Sequence, residues 1–184
     1  MKKIIIAEKP SVAQEYAKVL GVSAKNRQGF IENDTWIVTW TVGHLVTLSY
    51  PEKYNTVLKE WKMDTLPFIP DNYKYEIIDA TKKQFEVVKS LYNRPDISAI
   101  YYAGDSGREG LYIQMLVRML AGHNPQAQEK VVWINSQTED EILNGISEAK
   151  SLTEYKNMSD AAYMRGIADY LVGINFSRIL IYSL

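Results

Sequence analysis

The feature that most limits what this chain can become is the run Lys3-Ile4-Ile5-Ile6-Ala7, which gives way at once to Glu8-Lys9-Pro10. A short, unbroken, β-branched run reads as a strand buried on both faces, as in the middle of a parallel sheet. Pro10 suits the first turn of a helix. Val12, Ala13, Tyr16, Ala17 and Leu20 then share one helical face, and Gly21 ends it. The unit recurs. Residues 98–103 predict a second buried strand, followed by Ser106-Gly107-Arg108-Glu109 in the form of a capping box and an apolar helix reaching Leu120. Residues 131–134 predict a third, followed by Thr138-Glu139-Asp140-Glu141 and a helix bearing Ile142, Ile146 and Ala149.

The intervening segments are less regular. Residues 29–33 and 35–42 read as two strands around the turn dipeptide Asn33-Asp34. Residues 43–73, with Pro51, Pro67 and Pro70, read as an irregular connection, and 74–79 as a further strand. Thr81-Lys82-Lys83-Gln84 has the form of another capping box, ahead of a helical face made by Phe85, Val88 and Tyr92. A final helix is predicted over 159–171. Strands alternating with helices define an α/β fold with a mainly parallel sheet.

Composition removes several functional classes. There are no cysteines, so disulfide scaffolds, thiolate metal sites and cysteine nucleophiles are excluded. The two histidines, His44 and His123, are too few for a histidine-rich metal centre. Only four apolar residues follow Met1-Lys2-Lys3 before Glu8, so no cleavable signal is visible. No apolar run approaches the ~18 residues that span a bilayer. The expectation is a soluble cytoplasmic protein. Net charge is −1, which announces no nucleic-acid binder. The charge is uneven, however. Residues 1–30 carry six basic residues (2, 3, 9, 18, 25, 27) against two acidic ones, while 129–160 carry three against seven. The first segment reads as a solvated surface or as a basic face that meets phosphates.

In open parallel sheets, ligands bind beyond the carboxyl ends of the strands. Glu8 follows the first buried strand and Asp105 the second. Two carboxylates completed by water and substrate phosphate are a usual Mg²⁺ arrangement. Lys9 can neutralise a phosphate oxygen or stand as a solvated side chain at a helix start. Gly104-Asp105-Ser106-Gly107-Arg108 combines a tight turn, a helix N-terminus that favours anions and an arginine suited to phosphate. His44, in Gly43-His44-Leu45, can donate to a phosphate, move a proton or serve the structure. Glu109 can serve chemistry or merely close a helix, and His123 reads as structural.

Taken together, these segments resemble the Toprim domain of type IA DNA topoisomerases, with the topoisomerase III branch nearest. The resemblance rests on Ile6-Ala7-Glu8-Lys9-Pro10-Ser11-Val12-Ala13, Gly43-His44-Leu45, Ala103-Gly104-Asp105-Ser106-Gly107-Arg108-Glu109-Gly110 and Trp133-Ile134-Asn135-Ser136-Gln137-Thr138. The stretch from Arg165 to Arg178 looks like the segment leading into the next domain. The resemblance implies a Rossmann-like sheet flanked by helices, with a Toprim domain over 1–156 and the start of a following helical segment over 157–184. It implies Mg²⁺-dependent cleavage and rejoining of single-stranded DNA. By position, Glu8 and Asp105 would be metal ligands and Glu8, Lys9 and Arg108 catalytic residues. Lys9, His44, Ser106, Arg108 and Arg178 would contact DNA phosphate.

Departures from that pattern matter. Gly107 stands where the family usually has a second aspartate, although some topoisomerase III-like sequences share the glycine. Leu111 stands in place of a glutamate, and Val131 in place of an arginine. A weakened Mg²⁺ site is expected. None of the 13 tyrosines sits in the family's nucleophile motif, which belongs to a later domain, and residues 180–184 drift from the family pattern. The chain alone is therefore expected to be inactive in relaxation. The alternative is a catalytically degenerate Toprim module that binds DNA or a partner.

Overall fold

The computed structural model describes residues 1–23 and 28–182, the side chain of Tyr182 excepted. Lys25 and Arg27 of the basic N-terminal segment, and Ser183 and Leu184 of the tail, lie outside the described residues.

The buried isoleucine run becomes β1 (Lys2–Ala7), in the middle of a six-stranded sheet. In chain order the elements are β1, α1 (Pro10–Val19), β2 (Phe30–Glu32), β3 (Trp36–Trp40), β4 (Val46–Leu48), β5 (Tyr75–Ile77), α2 (Lys82–Tyr92), β6 (Ile97–Ala103), α3 (Arg108–Ala121), β7 (Gln128–Val131), α4 (Glu139–Ser147), β8 (Lys150–Ser151) and α5 (Lys156–Tyr182). The sheet order is β2-β3-β1-β6-β7-β8. β1 runs parallel to β3 and β6, and β6 parallel to β7, while the edge strands β2 and β8 are antiparallel. This is the mainly parallel α/β sheet that the alternation predicts.

Residues of β1 alternate between two cores. Ile4 and Ile6 pack with Phe85, Val88 and Leu91 of α2 and Leu111, Met115 and Leu116 of α3. Ile5 and Ala7 pack with Val12, Ala13, Tyr16 and Ala17 of α1 and Ile142 of α4. The chain thus leaves β1 toward one face of the sheet and leaves the adjacent β6 toward the other. That divergence opens a crevice between the two strand ends, the usual ligand position in such sheets.

Several expectations need correction. The third strand is Gln128–Val131 rather than 131–134. Val131 faces the α2/α3 core and Val132 the α1/α4 core, so the apolar run marks the exit of the strand. Residues 43–73 are not wholly irregular, because β4 pairs antiparallel with β5 in a second, two-stranded sheet. The final helix extends well beyond 159–171 at its C-terminal end. None of the three capping boxes forms a side-chain cap, although α2 and α4 begin where they were predicted to. Thr81 Oγ1 instead donates to Ile78 O, and Gln84 Nε2 reaches back to Trp40 O at 2.7 Å.

Asn33 does make the expected turn: its Oδ1 accepts from the N–H groups of Thr35 and Trp36. Among the described residues, the basic side chains of the N-terminal segment do not assemble into one face. Lys2 is bound to Glu32 at 2.6 Å and Lys3 lies over Trp36, at the opposite end of β1 from Lys9.

Candidate active site at the strand-end crevice

The crevice is built from backbone upward. At the end of β1, Thr41 holds the chain in place. Its N–H donates to Ala7 O at 2.8 Å and its hydroxyl to Glu8 O at 2.9 Å. Gln114, on α3, donates through Nε2 to Ile6 O at 3.2 Å. At the end of β6, Asp105 is set by glycines. A Cβ on Gly110 would collide with the Asp105 backbone, and one on Gly104 with Gly110 O. The two backbones lie together only because both side chains are missing.

These constraints bring Glu8 and Asp105 together. Glu8 is 8% exposed, and its Oε2 accepts the Asp105 N–H at 3.1 Å. Lys9 Nζ stands 3.5 Å from Glu8 Oε1 and 3.5 Å from Asp105 Oδ2. Those two oxygens are therefore no further apart than twice that distance. Asp105, then Glu8, raises the Lys9 pKa above the ordinary lysine value. Lys9 and Asp105 are both more than half exposed, so the pair meets solvent.

Around this centre, Gly43 has φ +78, a left-handed turn that glycine tolerates. His44, next in sequence, places Nε2 2.8 Å from Glu109 Oε1 and its ring edge-on to Tyr112. Glu109 is thus neither a helix cap nor a third member of the Glu8–Asp105 pair. Ser106 does not cap α3 either, since its hydroxyl donates to Ile134 O. Gly107 occupies the cap position without a side-chain acceptor, so the first N–H groups of α3 stay available to an anion. Arg108 opens α3, exposed to solvent.

Of the residues named from sequence, Glu8, Lys9 and Asp105 meet directly. His44, Ser106 and Arg108 belong to the same edge. Arg178 does not. It is 1% exposed, donates through Nη2 to Leu58 O at 3.0 Å and lies over the Trp61 ring. Enclosed in this way, it anchors α5 to the 56–61 segment and offers no surface to a phosphate. His123 sits 3.7 Å from Glu129 and takes no part. Among the described residues, no three histidine or acidic side chains converge as a metal cluster. Thr41 and Gln114 escaped sequence reading. Gln114 left a trace, a lone amide inside the apolar stretch Leu111–Val117.

The class of the chain follows: an α/β domain with a Rossmann-like, mainly parallel sheet whose switch point carries two carboxylates and a lysine. The family model of the Toprim domain matches residues 3–136, and the chain belongs to that family. It is 42% identical over 180 residues to the DNA topoisomerase 3 of Staphylococcus saprophyticus, and 41% identical over 179 residues to that of Bacillus subtilis. The match covers 98% and 97% of this chain, but only 25% and 24% of those relatives. The chain spans about a quarter of the length of the relatives it matches.

Proposed function

We propose that this chain is the Toprim part of a topoisomerase III-like, type IA DNA topoisomerase, contributing Mg²⁺-dependent phosphate chemistry to cleavage and rejoining of single-stranded DNA. The observation that carries the reading is the position of Lys9 between Glu8 and Asp105. An ammonium drawn between two carboxylates marks a place where a cation is stabilised, and the donor set is all oxygen, as Mg²⁺ prefers. Glu8 and Asp105 would hold the ion, which when bound neutralises charge on a phosphate. Lys9, Arg108 and the N-terminus of α3 bind and orient that phosphate. His44, held by Glu109, and Ser106 border it. Glu8 is the proton-transfer candidate, being the least solvated carboxylate at the edge.

Residues 1–156 form the Toprim unit in this reading, and 157–184 begin the next segment. The expected site is the cytoplasm, and among the described residues no helix is long and apolar enough to cross a membrane. The covalent step of such enzymes needs a tyrosine from another domain, so 1–184 alone does not relax DNA. A second reading, a degenerate DNA- or partner-binding module, is favoured by Gly107 and by Leu111, which is buried in the core rather than facing the crevice.

The test is a Mg²⁺ titration followed by backbone NMR, with and without a short DNA strand, on wild type, Glu8→Ala and Asp105→Ala. Shifts centred on 8–9 and 104–109 that vanish in both variants support the metal site. Absence of shifts even with DNA overturns it in favour of the binding module. Mg²⁺-dependent relaxation by the pure chain would refute the claim of inactivity.

A further inference from the structure

The segment Trp133–Thr138 has no task in the phosphate chemistry above. Its middle residues, 134–137, form one wall of a cavity of about 280 Å³ on the α1/α4 side of the crevice. Val12 and Tyr16 of α1 form the facing wall, and Ala103, Gly104, Asp105 and Ser106 line it from the end of β6. Ile134, Asn135, Ser136 and Gln137 complete it. The Ser106 hydroxyl, bound to Ile134 O, ties one wall to the other. The cavity opens beside Asp105 and is therefore continuous with the edge where Lys9 stands.

Tyr16 is the telling residue. Its side chain is 1% exposed and lines the cavity, and its hydroxyl is not one of the sealed, unpartnered polar atoms of the described residues, so it stays within reach of what fills the cavity. Burial raises the phenol's pKa above the ordinary tyrosine range, so it remains a neutral donor. The other polar groups are the Asn135 and Gln137 amides and the Ser136 hydroxyl, all at the exposed side. Val12, Ala103 and Ile134 give apolar surface.

The lining sorts the possible ligands. It contains no cation, and Asp105 stands at its mouth, so an anion is repelled. Its one carboxylate is already engaged with Lys9. A neutral, flat molecule with amide-like donors and acceptors fits amides, hydroxyls and apolar walls. The volume lies near the lower limit of small-molecule sites, room for one heterocyclic ring system. Proteins read unstacked bases in this manner, by hydrogen bonds to a base edge inside a partly apolar slot.

We propose that this cavity holds a nucleobase of the single strand whose phosphate sits at the Lys9–Asp105 edge, with Tyr16 donating to the base and the Asn135 and Gln137 amides reading its rim. The proposal rests on the phosphate-edge reading for its strand. The cavity would then let the Toprim domain sense which base lies beside the reacting phosphate.

The experiment is an NMR titration of the full chain in Mg²⁺, to about 10 mM ligand, with three kinds of probe. These are deoxyribose 5-phosphate, the four deoxynucleoside monophosphates, and thymidine and deoxycytidine without phosphate. Base-bearing probes should shift Tyr16 and 135–137, whereas deoxyribose 5-phosphate should shift only 8–9 and 104–109. Tyr16→Phe, which removes one hydroxyl, and Gln137→Ala, on the surface, should each weaken the monophosphates about threefold to tenfold. Both should leave deoxyribose 5-phosphate unchanged. Identical shifts and affinities for monophosphates and deoxyribose 5-phosphate overturn the proposal, as does unaltered monophosphate binding in both variants. Nucleosides that shift Tyr16 while deoxyribose 5-phosphate shifts nothing support the base cavity and refute the phosphate edge.

Discussion

Glu8 Oε2 accepts the backbone N–H of Asp105 at 3.1 Å, across 97 residues of sequence. One oxygen of the carboxylate is thus committed to structure, and the other, Oε1, faces Lys9. The hydrogen bond locks the end of β1 to the end of β6, so the same side chain builds the crevice and supplies its charge. The two roles separate under mutation. Glu8→Ala removes the acceptor of the part-buried Asp105 N–H and should cost about 0.5–1.5 kcal/mol, a fall of roughly 1–6 °C in melting temperature. Glu8→Gln keeps an acceptor and should melt near wild type. Both should abolish the Mg²⁺ response. Equal melting temperatures for all three proteins would mean that the hydrogen bond contributes nothing.

Lys9 reports on its neighbours. Asp105, then Glu8, raises its pKa above the ordinary value of 10.5. A raised lysine pKa contributes stability that is present below the unfolded value and lost as pH rises through the folded one. Asp105→Asn removes the larger cause, so Lys9 should titrate at lower pH. The Lys9 side-chain carbon shifts, followed from pH 9 to 12, measure this directly. An unchanged midpoint would show that the ammonium does not sit between the carboxylates in solution.

Far from the crevice, Glu32 is held by Lys2 at 2.6 Å and Arg94 at 2.9 Å, and Arg94 also clasps Asp96. Burial pushes the Glu32 pKa up, but hydrogen bonds from Arg94 and Lys2 outweigh it, and the net displacement is downward. A depressed carboxylate contributes stability above its unfolded pKa and loses it as pH falls through the folded value. Glu32→Gln should therefore cost about 1–3 kcal/mol at neutral pH. Its urea midpoint should converge on that of wild type as the pH falls from 5 toward 3. Parallel curves would exclude the ionised pair as the cause.

Two glycines make opposite predictions. A Cβ at Gly110 would run into the Asp105 backbone, whereas one at Gly173, inside α5, meets nothing within 4 Å. Gly110→Ala should destabilise by about 1–3 kcal/mol and weaken the Mg²⁺ response, because Asp105 must move. Gly173→Ala should stabilise by about 1 kcal/mol, the helix-propensity difference. Thermal melts of the two variants decide the matter, and a stabilising Gly110→Ala would contradict the close approach.

Much of this was legible in sequence, for identifiable reasons. Ile4-Ile5-Ile6 and residues 98–103 fill both cores, so apolarity alone marked β1 and β6, and with them the positions of Glu8 and Asp105. Where other chemistry competed, reading failed. Residues 131–134 are apolar because the chain touches both cores while leaving the sheet. Ser106 fits a cap pattern, but its hydroxyl has a better use on Ile134 O. Tyr16 fits a helical core stripe, and its ring does lie in that core; the cavity it lines is invisible without the opposite wall, more than a hundred residues later.

Arg178 tests whether a motif's arginine must be a phosphate contact. Its guanidinium centre lies 4.9 Å from the Trp61 ring, and only Nη2 has an acceptor; Nε and Nη1 are buried without one among the described residues. A buried cation with incomplete partners contributes little net stability, because desolvation offsets the contacts it makes. The linear, apolar side chain of methionine can occupy the same channel beside Trp61. Arg178→Met should therefore change stability by less than about 1.5 kcal/mol in either direction while altering Trp61 fluorescence. Single-strand affinity should stay within about twofold, with the same salt dependence as wild type, since no phosphate contact is lost. A shallower salt slope with a large loss of affinity would show instead that α5 opens on binding and delivers Arg178 to the strand.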